Sequence, residues 1–298
     1  MRRDGQAQPA EVASGYSFLE GPRWRDGALY LSDFHTDRVL RYDGRGVTAV
    51  CAVAGQPSGL GFDAAGNLLV VSMMERRILR WDGNTLAAHA DLSGYFSGPA
   101  NDMTVASSGR AYVSNLGLVD PGRMLIEPTC LVVVDPAGVP AVAAEGLFFP
   151  NGMALTPDEG TLLVAETYAA RIRAYDVAAD GALSGPRIWA QFGEPAESLD
   201  LIAGSQTLPV LPDGLALDAE GCLWVGDAKG RGIQRVAEGG AVRDYVGTGD
   251  LTCYAAALGG PDGRTLYLCC APEINKHDLS AMRAAKLLAV RVEVPAAR

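Results

Sequence analysis

The chain is short of positive charge. It carries 25 Lys and Arg against 35 Asp and Glu, giving a formal net charge of -10. That balance argues against nucleic acid, whose phosphates need clustered Lys and Arg. A small neutral or cationic partner, or a bound cation, suits it better. No stretch runs through about eighteen apolar residues, and the opening MRRDGQAQPAEVASGYSF holds no continuous apolar segment, so neither a membrane-crossing helix nor a secretory leader is expected. The expectation is a cytoplasmic protein without membrane contact. No GxSxG is present, which removes the serine nucleophile on a strand-to-helix turn. The cysteines Cys51, Cys130, Cys222, Cys253, Cys269 and Cys270 are scattered without CxxC spacing. They read as core thiols rather than a disulfide framework or a zinc site.

What the chain does have is a repeat. One pattern, a polar residue followed by an apolar run, a turn and a second apolar run, returns six times. The copies are EGPRWRDGALYLSD from Glu20, SGLGFDAAGNLLVVSM from Ser58, NDMTVASSGRAYVSN from Asn101, NGMALTPDEGTLLVAE from Asn151, DGLALDAEGCLWVGD from Asp213 and AAALGGPDGRTLYLCC from Ala255. Third strands follow, such as RVLRYDG and RILRWDG, and Asp-Gly, Glu-Gly and Ala-Gly turns separate them. Those turns use residues that tolerate positive φ, and the runs are too short and too broken for ordinary helices. Six units of this length predict an all-β, six-bladed β-propeller with four-stranded antiparallel blades. The expected layout is an N-terminal extension over residues 1–15 and one propeller domain over 16–298. FGEPAESLDLIAGSQTLPVL, without a repeat counterpart, is expected as a loop over one face, and EINKHDLSAMRAAKLLAV as a short helical excursion before the last strand.

Equivalent positions in a propeller lie on a ring about its axis. The residues opening the six units are Glu20, Ser58, Asn101, Asn151, Asp213 and Ala255. Asn-Gly and Asp-Gly make turns on their own, but Glu is a poor turn former and Glu20 fills the same slot. Glu20, Asn151 and Asp213 would turn two carboxylates and an amide carbonyl toward one centre, a hard-oxygen set suited to Ca²⁺, Mg²⁺ or Mn²⁺. A second ring, at the end of the following strand, reads Asp33, Met73, Asn115, Glu166, Asp227 and Cys270. From there Asp33, Glu166 or Asp227 would orient ligands or hold water.

With Glu20 in EGPRW, Asn101 in NDM, Asn151 in FPNGMALTPD and Asp213 in PDGLALDAEGCLWV, the chain resembles the family of gluconolactonase, regucalcin and luciferin-regenerating enzyme. The resemblance runs from about residue 16 to about residue 292. It implies a propeller with one divalent cation at the mouth of the central channel and, in many members, lactone hydrolysis. Carried over, Glu20, Asn151 and Asp213 would hold the metal, with calcium first and manganese, magnesium or zinc behind it. Asn101 would face the substrate. Asp213 is the candidate base, with Asp227 or Glu166 as substitutes.

One position departs from the sugar-lactone pattern: the Arg expected two residues before the Asn of the ND motif is Pro99 here. Nearby, Met73, Met74, Met103, Phe148, Met153 and Tyr168 are candidates for an adaptable apolar rim, with Met73, Met103, Met153 and Tyr168 touching substrate. A lactone or ester less polar than gluconolactone is then expected. His35, just beyond Asp33, is a candidate for proton transfer. The leading expectation is a monomeric, metal-dependent lactone hydrolase acting on a small molecule. Two alternatives stay open: non-hydrolytic chemistry of the strictosidine-synthase-like kind, and a calcium- or ligand-binding protein without turnover.

Overall fold

Each repeat becomes one four-stranded antiparallel sheet. A computed structural model describes residues 8–120, 124–274 and 277–297. It shows a six-bladed β-propeller, as expected. The inner strands are Leu19–Arg25, Pro57–Phe62, Ala100–Val105, Pro150–Leu155, Pro212–Leu217 and Thr252–Gly259. They touch in a closed ring, the last against the first. Apolar side chains on the broad faces of adjacent blades make the core, as where Leu69, Val71, Met103 and Val113 pack between the second and third blades. Cys253, Cys269 and Cys270 are buried in the sixth blade, and all six cysteines are free thiols.

The sixth blade takes strands from both ends of the chain. Thr252–Gly259, Thr265–Ala271 and Ala285–Arg291 are completed by Ala10–Tyr16, which pairs antiparallel with Ala285–Arg291. Residues 10–15, read from sequence as part of an extension, therefore belong to a blade; residues 1–7 lie outside the described residues. The reason is the open edge that the last three strands would leave, which this strand covers. The polar and exposed pattern of AEVASGY is that of an outer strand.

The repeated polar-Gly pair has a local cause. Register slips between Pro57 and Leu60, Ala100 and Met103, Pro150 and Met153, and Pro212 and Leu215, so each inner strand bulges where the pair sits. The bulge of one blade presses on the next. A Cβ on Gly152 would stand 2.5 Å from the Asp213 carbonyl oxygen, and one on Gly59 would stand 2.3 Å from the Met103 nitrogen. Only glycine fits that approach.

Two insertions rise above one end of the blades. Leu118–Asp120 and Leu125–Ile126 form a hairpin within the third unit. The stretch expected as a loop between the fourth and fifth blades contains a helix, Leu201–Thr207, because Asp200 accepts from Ile202 and Ala203 N–H at 3.0 and 2.8 Å and starts it. The helical excursion expected before the last strand is turns and irregular backbone instead among the described residues; Asn275 and Lys276 lie outside them.

Candidate functional site

The bulges turn five residues of the inner ring into one cavity. Glu20, Asn101, Asn151, Asp213 and Tyr254 line it, in a volume of about 380 Å3. Tyr254 corrects the sequence reading, which put Ala255 in the sixth slot. Cys253 pairs with Cys270 as Pro212 pairs with Asp227, so the residue after Cys253 is the equivalent of Asp213. No glycine marks this bulge, and the register could not be read without one.

The polar floor is connected. Asn101 Nδ2 donates to Asn151 Oδ1 at 2.9 Å, and Ser58 Oγ donates to Asn101 Oδ1 at 3.4 Å. Asn151 Nδ2 reaches Thr167 Oγ1 at 3.3 Å, and Thr167 donates to the Pro212 carbonyl at 2.7 Å. Glu20 accepts from the Gly21 N–H at 3.0 Å. Burial pushes the Glu20 carboxyl above the usual range, and the charge of Asp102 adds to that. Burial likewise raises Asp213, followed by the charges of Glu20, Asp102 and Asp227. Among the described residues no Lys, Arg or His lines the cavity.

Sequence reasoning missed the pair beneath this floor. Arg23 Nη2 lies 3.1 Å from Asp102 Oδ1, and the guanidinium also donates to the Pro22 carbonyl at 2.9 Å and to the Met103 carbonyl. The nearest cation is thus committed to other acceptors. Asp102 fills the slot that holds glycine in most units, and that substitution in NDM was the signal available. Among the described residues no group of three or more His, Cys, Asp and Glu gathers as a metal site. The donor set is two carboxylates with amides. It fits a hard divalent cation, because two carboxylates share a cavity with no Lys, Arg or His in its described lining, and oxygen donors of this kind suit such ions.

The second ring does different work from that expected. Its second-blade member is Ser72, the partner of Pro57, and not Met73. Glu166 is fully buried and pairs with Arg171 at 2.8 Å and Arg173 at 2.6 Å, while accepting the Phe148 N–H at 3.2 Å. Asp227 accepts from Leu211 and Lys229 N–H at 3.0 and 3.2 Å. Asp33 accepts from Ser17 and Phe18 N–H at 2.9 and 3.0 Å. Each carboxylate clamps the segment entering its blade's inner strand. Neither Glu166 nor Asp227 lines the cavity, so neither is placed as a base.

The remaining predicted residues divide. Met73 and Tyr168 line the cavity. Met103 and Met153 do not: they are buried in the cores between blades, because the bulge directs the polar residue inward and the residue two further on into the blade contact. His35 also stands outside, its ring Nδ1 3.3 Å from Gln56 Nε2 and its N–H on Ser17 Oγ at 3.1 Å. Burial lowers its pKa. The apolar wall comes instead from the insertions, with Leu118, Met124, Ile126, Leu201 and Ile202 lining the cavity. Ile126 N–H bonds the Leu199 carbonyl and Leu201 N–H the Met124 carbonyl, both at 2.8 Å, which ties hairpin to helix. A larger groove, about 770 Å3, lies at the other end of the blades among turns bearing Thr156, Asp218 and Asp262 and holds none of the predicted residues.

A family model described as the SMP-30/Gluconolactonase/LRE-like region matches residues 18–271. The chain belongs to that family. Pentonolactonase XacC of Haloferax volcanii is 27% identical over 261 residues, spanning 84% of this chain and 80% of its own. Two solved propellers share the fold. A calcium-binding regucalcin from Agrobacterium tumefaciens has a TM-score of 0.77 at 18% identity and covers 98% of both chains. The gluconolactonase XC5397 from Xanthomonas campestris has a TM-score of 0.70 at 23% identity, covering 94% of this chain and 88% of its own.

Proposed function

We propose that this propeller hydrolyses a lactone or related cyclic ester with the help of a divalent cation. The observation that carries the reading is the floor: the carboxylates of Glu20 and Asp213 share one cavity whose described lining holds no Lys, Arg or His, beside the amides of Asn101 and Asn151. Family membership and the names pentonolactonase and gluconolactonase among the relatives support the same reaction class.

Glu20, Asp213 and Asn151 would hold the cation, which supplies Lewis-acid polarisation of the ester carbonyl. Calcium is the first choice for such donors, with manganese, magnesium and zinc next. Water adds to the carbonyl carbon, the ring C–O bond breaks, and the released alkoxide takes up a proton to give the hydroxy acid. Asp213, on the cavity floor, is the proton acceptor for the attacking water. Asn101, fixed between Ser58 and Asn151, orients the substrate.

Proton release from a panel of sugar, aliphatic and aromatic-fused lactones tests the reading, using metal-stripped protein before and after adding each of the four cations. Turnover restored by one of them is expected. Silence with every lactone and every metal would sink the hydrolase and leave a binding protein or a different chemistry.

A further inference from the structure

Four hydroxyl groups line the cavity, and each has already given its proton away. Thr167 donates to the Pro212 carbonyl at 2.7 Å, Ser205 to Ile202 at 2.8 Å, Tyr254 to Pro272 at 3.1 Å, and Tyr168 to Leu201. All four acceptors are main-chain carbonyls held by the fold. Above the floor the remaining wall is apolar. A polyhydroxylated ring entering here would shed its water hydrogen bonds and meet few free donors in return, a loss of about 1–3 kcal/mol for each group left unmatched.

The apolar surface continues outward. Met124, Ile202 and Ile274 line the cavity and are also 37%, 42% and 47% exposed. Large apolar side chains at a concave opening mark a site that receives an apolar group. Both the hairpin and the helix that carry two of them are anchored. Lys229 Nζ donates to the Ser205 and Leu208 carbonyls at 3.0 and 2.6 Å, fastening the helix end to the fifth blade. The wall is therefore preformed.

From these observations we infer that the substrate is amphiphilic: a lactone ring on the polar floor, carrying an aliphatic chain that runs along the inserted wall to Ile202 and Met124. This rests on the lactonase reading and specifies its substrate class.

Ring-matched lactams, which resist hydrolysis, test the chain without turnover. Calorimetry in the presence of calcium compares an unsubstituted δ-lactam, its methyl to pentyl derivatives and a polyhydroxylated sugar lactam. Affinity is expected to rise about fourfold per methylene up to the cavity's length, with the sugar lactam at least about tenfold weaker than the pentyl compound. The paired substitutions Met124→Ser and Ile202→Asn, both at exposed positions, are expected to flatten that slope. A flat slope in the unmodified protein, or tighter binding of the sugar lactam, overturns the inference. A steep slope in a protein that cleaves none of the matching lactones supports it and removes the hydrolase reading instead.

Discussion

Asn101 and Asn151 join neighbouring blades through one hydrogen bond, Nδ2 to Oδ1 at 2.9 Å, and so fix each other's amide at the cavity floor. Each amide has a second anchor, Asn101 on Ser58 and Asn151 on Thr167. Their orientation is set before any ligand arrives, which is what a site needs if positioning is to lower a barrier.

Replacing Asn101 by Ala removes both the substrate contact and the support of Asn151. The expected result is a fall of about 10²-fold in kcat/KM for the preferred lactone, with only a small change in melting temperature because the side chain adds little to the core. An unchanged kcat/KM would remove Asn101 from the site.

The paired carboxylates give the metal-free protein a pH signature. Burial and the neighbouring Asp102 lift Glu20 from its ordinary 4.5 to about 8, so its contribution to stability is present below 4.5 and is lost as pH rises toward 8. Asp213 is raised in the same direction. The melting temperature of stripped protein should therefore drop across that interval. Saturating calcium should remove most of the drop by favouring the charged forms. Asp213→Asn should flatten the profile without any metal, and a profile unaffected by calcium would argue against a cation on this floor.

Glu166 offers the contrasting case. Its charge answers Arg171 and Arg173 inside the fourth blade, so Glu166→Gln should cost about 3 kcal/mol in urea unfolding. The kcat of the folded fraction should change by less than about twofold. A large loss of kcat without loss of stability would restore Glu166 to the chemistry.

Gly152→Ala tests the packing that carries the ring. The added methyl would meet the Asp213 carbonyl oxygen at 2.5 Å, forcing the fourth and fifth bulges apart. Calcium affinity measured by calorimetry is expected to fall about tenfold or more, alongside a loss of about 1–3 kcal/mol in stability. Retained affinity would show that the floor tolerates separation of the two bulges.

The propeller was legible in the sequence because the bulge leaves a mark: in most units a glycine follows the residue at the bulge, as at Asn151-Gly152 and Asp213-Gly214. The same mark was absent at Cys253-Tyr254-Ala255, and there the slot was misread by one. Met73 was displaced by one on the second strand, where Ser72 is the partner of Pro57. The apolar wall was hidden for a different reason. Leu118, Met124, Ile126 and Ile202 come from insertions that no repeat comparison places, whereas Met103 and Met153, two residues beyond Asn101 and Asn151, are carried into the blade cores by the bulge. Asp33, Glu166 and Asp227 were legible as strand-end partners, but the N–H groups they hold were not, since sequence spacing does not reveal which backbone N–H a carboxylate will meet.

The pairing of Ala10 with Ala289 also has a consequence for synthesis. Strands of the first blades can pair as they leave the ribosome, but Ala10–Tyr16 must wait through the making of five blades before its partner Ala285–Arg291 emerges. Until then the nascent chain is an open arc with an unpaired strand at its leading end, and the floor lacks Tyr254 and the contact between the first and last inner strands. The cavity is thus among the last parts of this propeller to be completed, finished only when the sixth blade closes on the first.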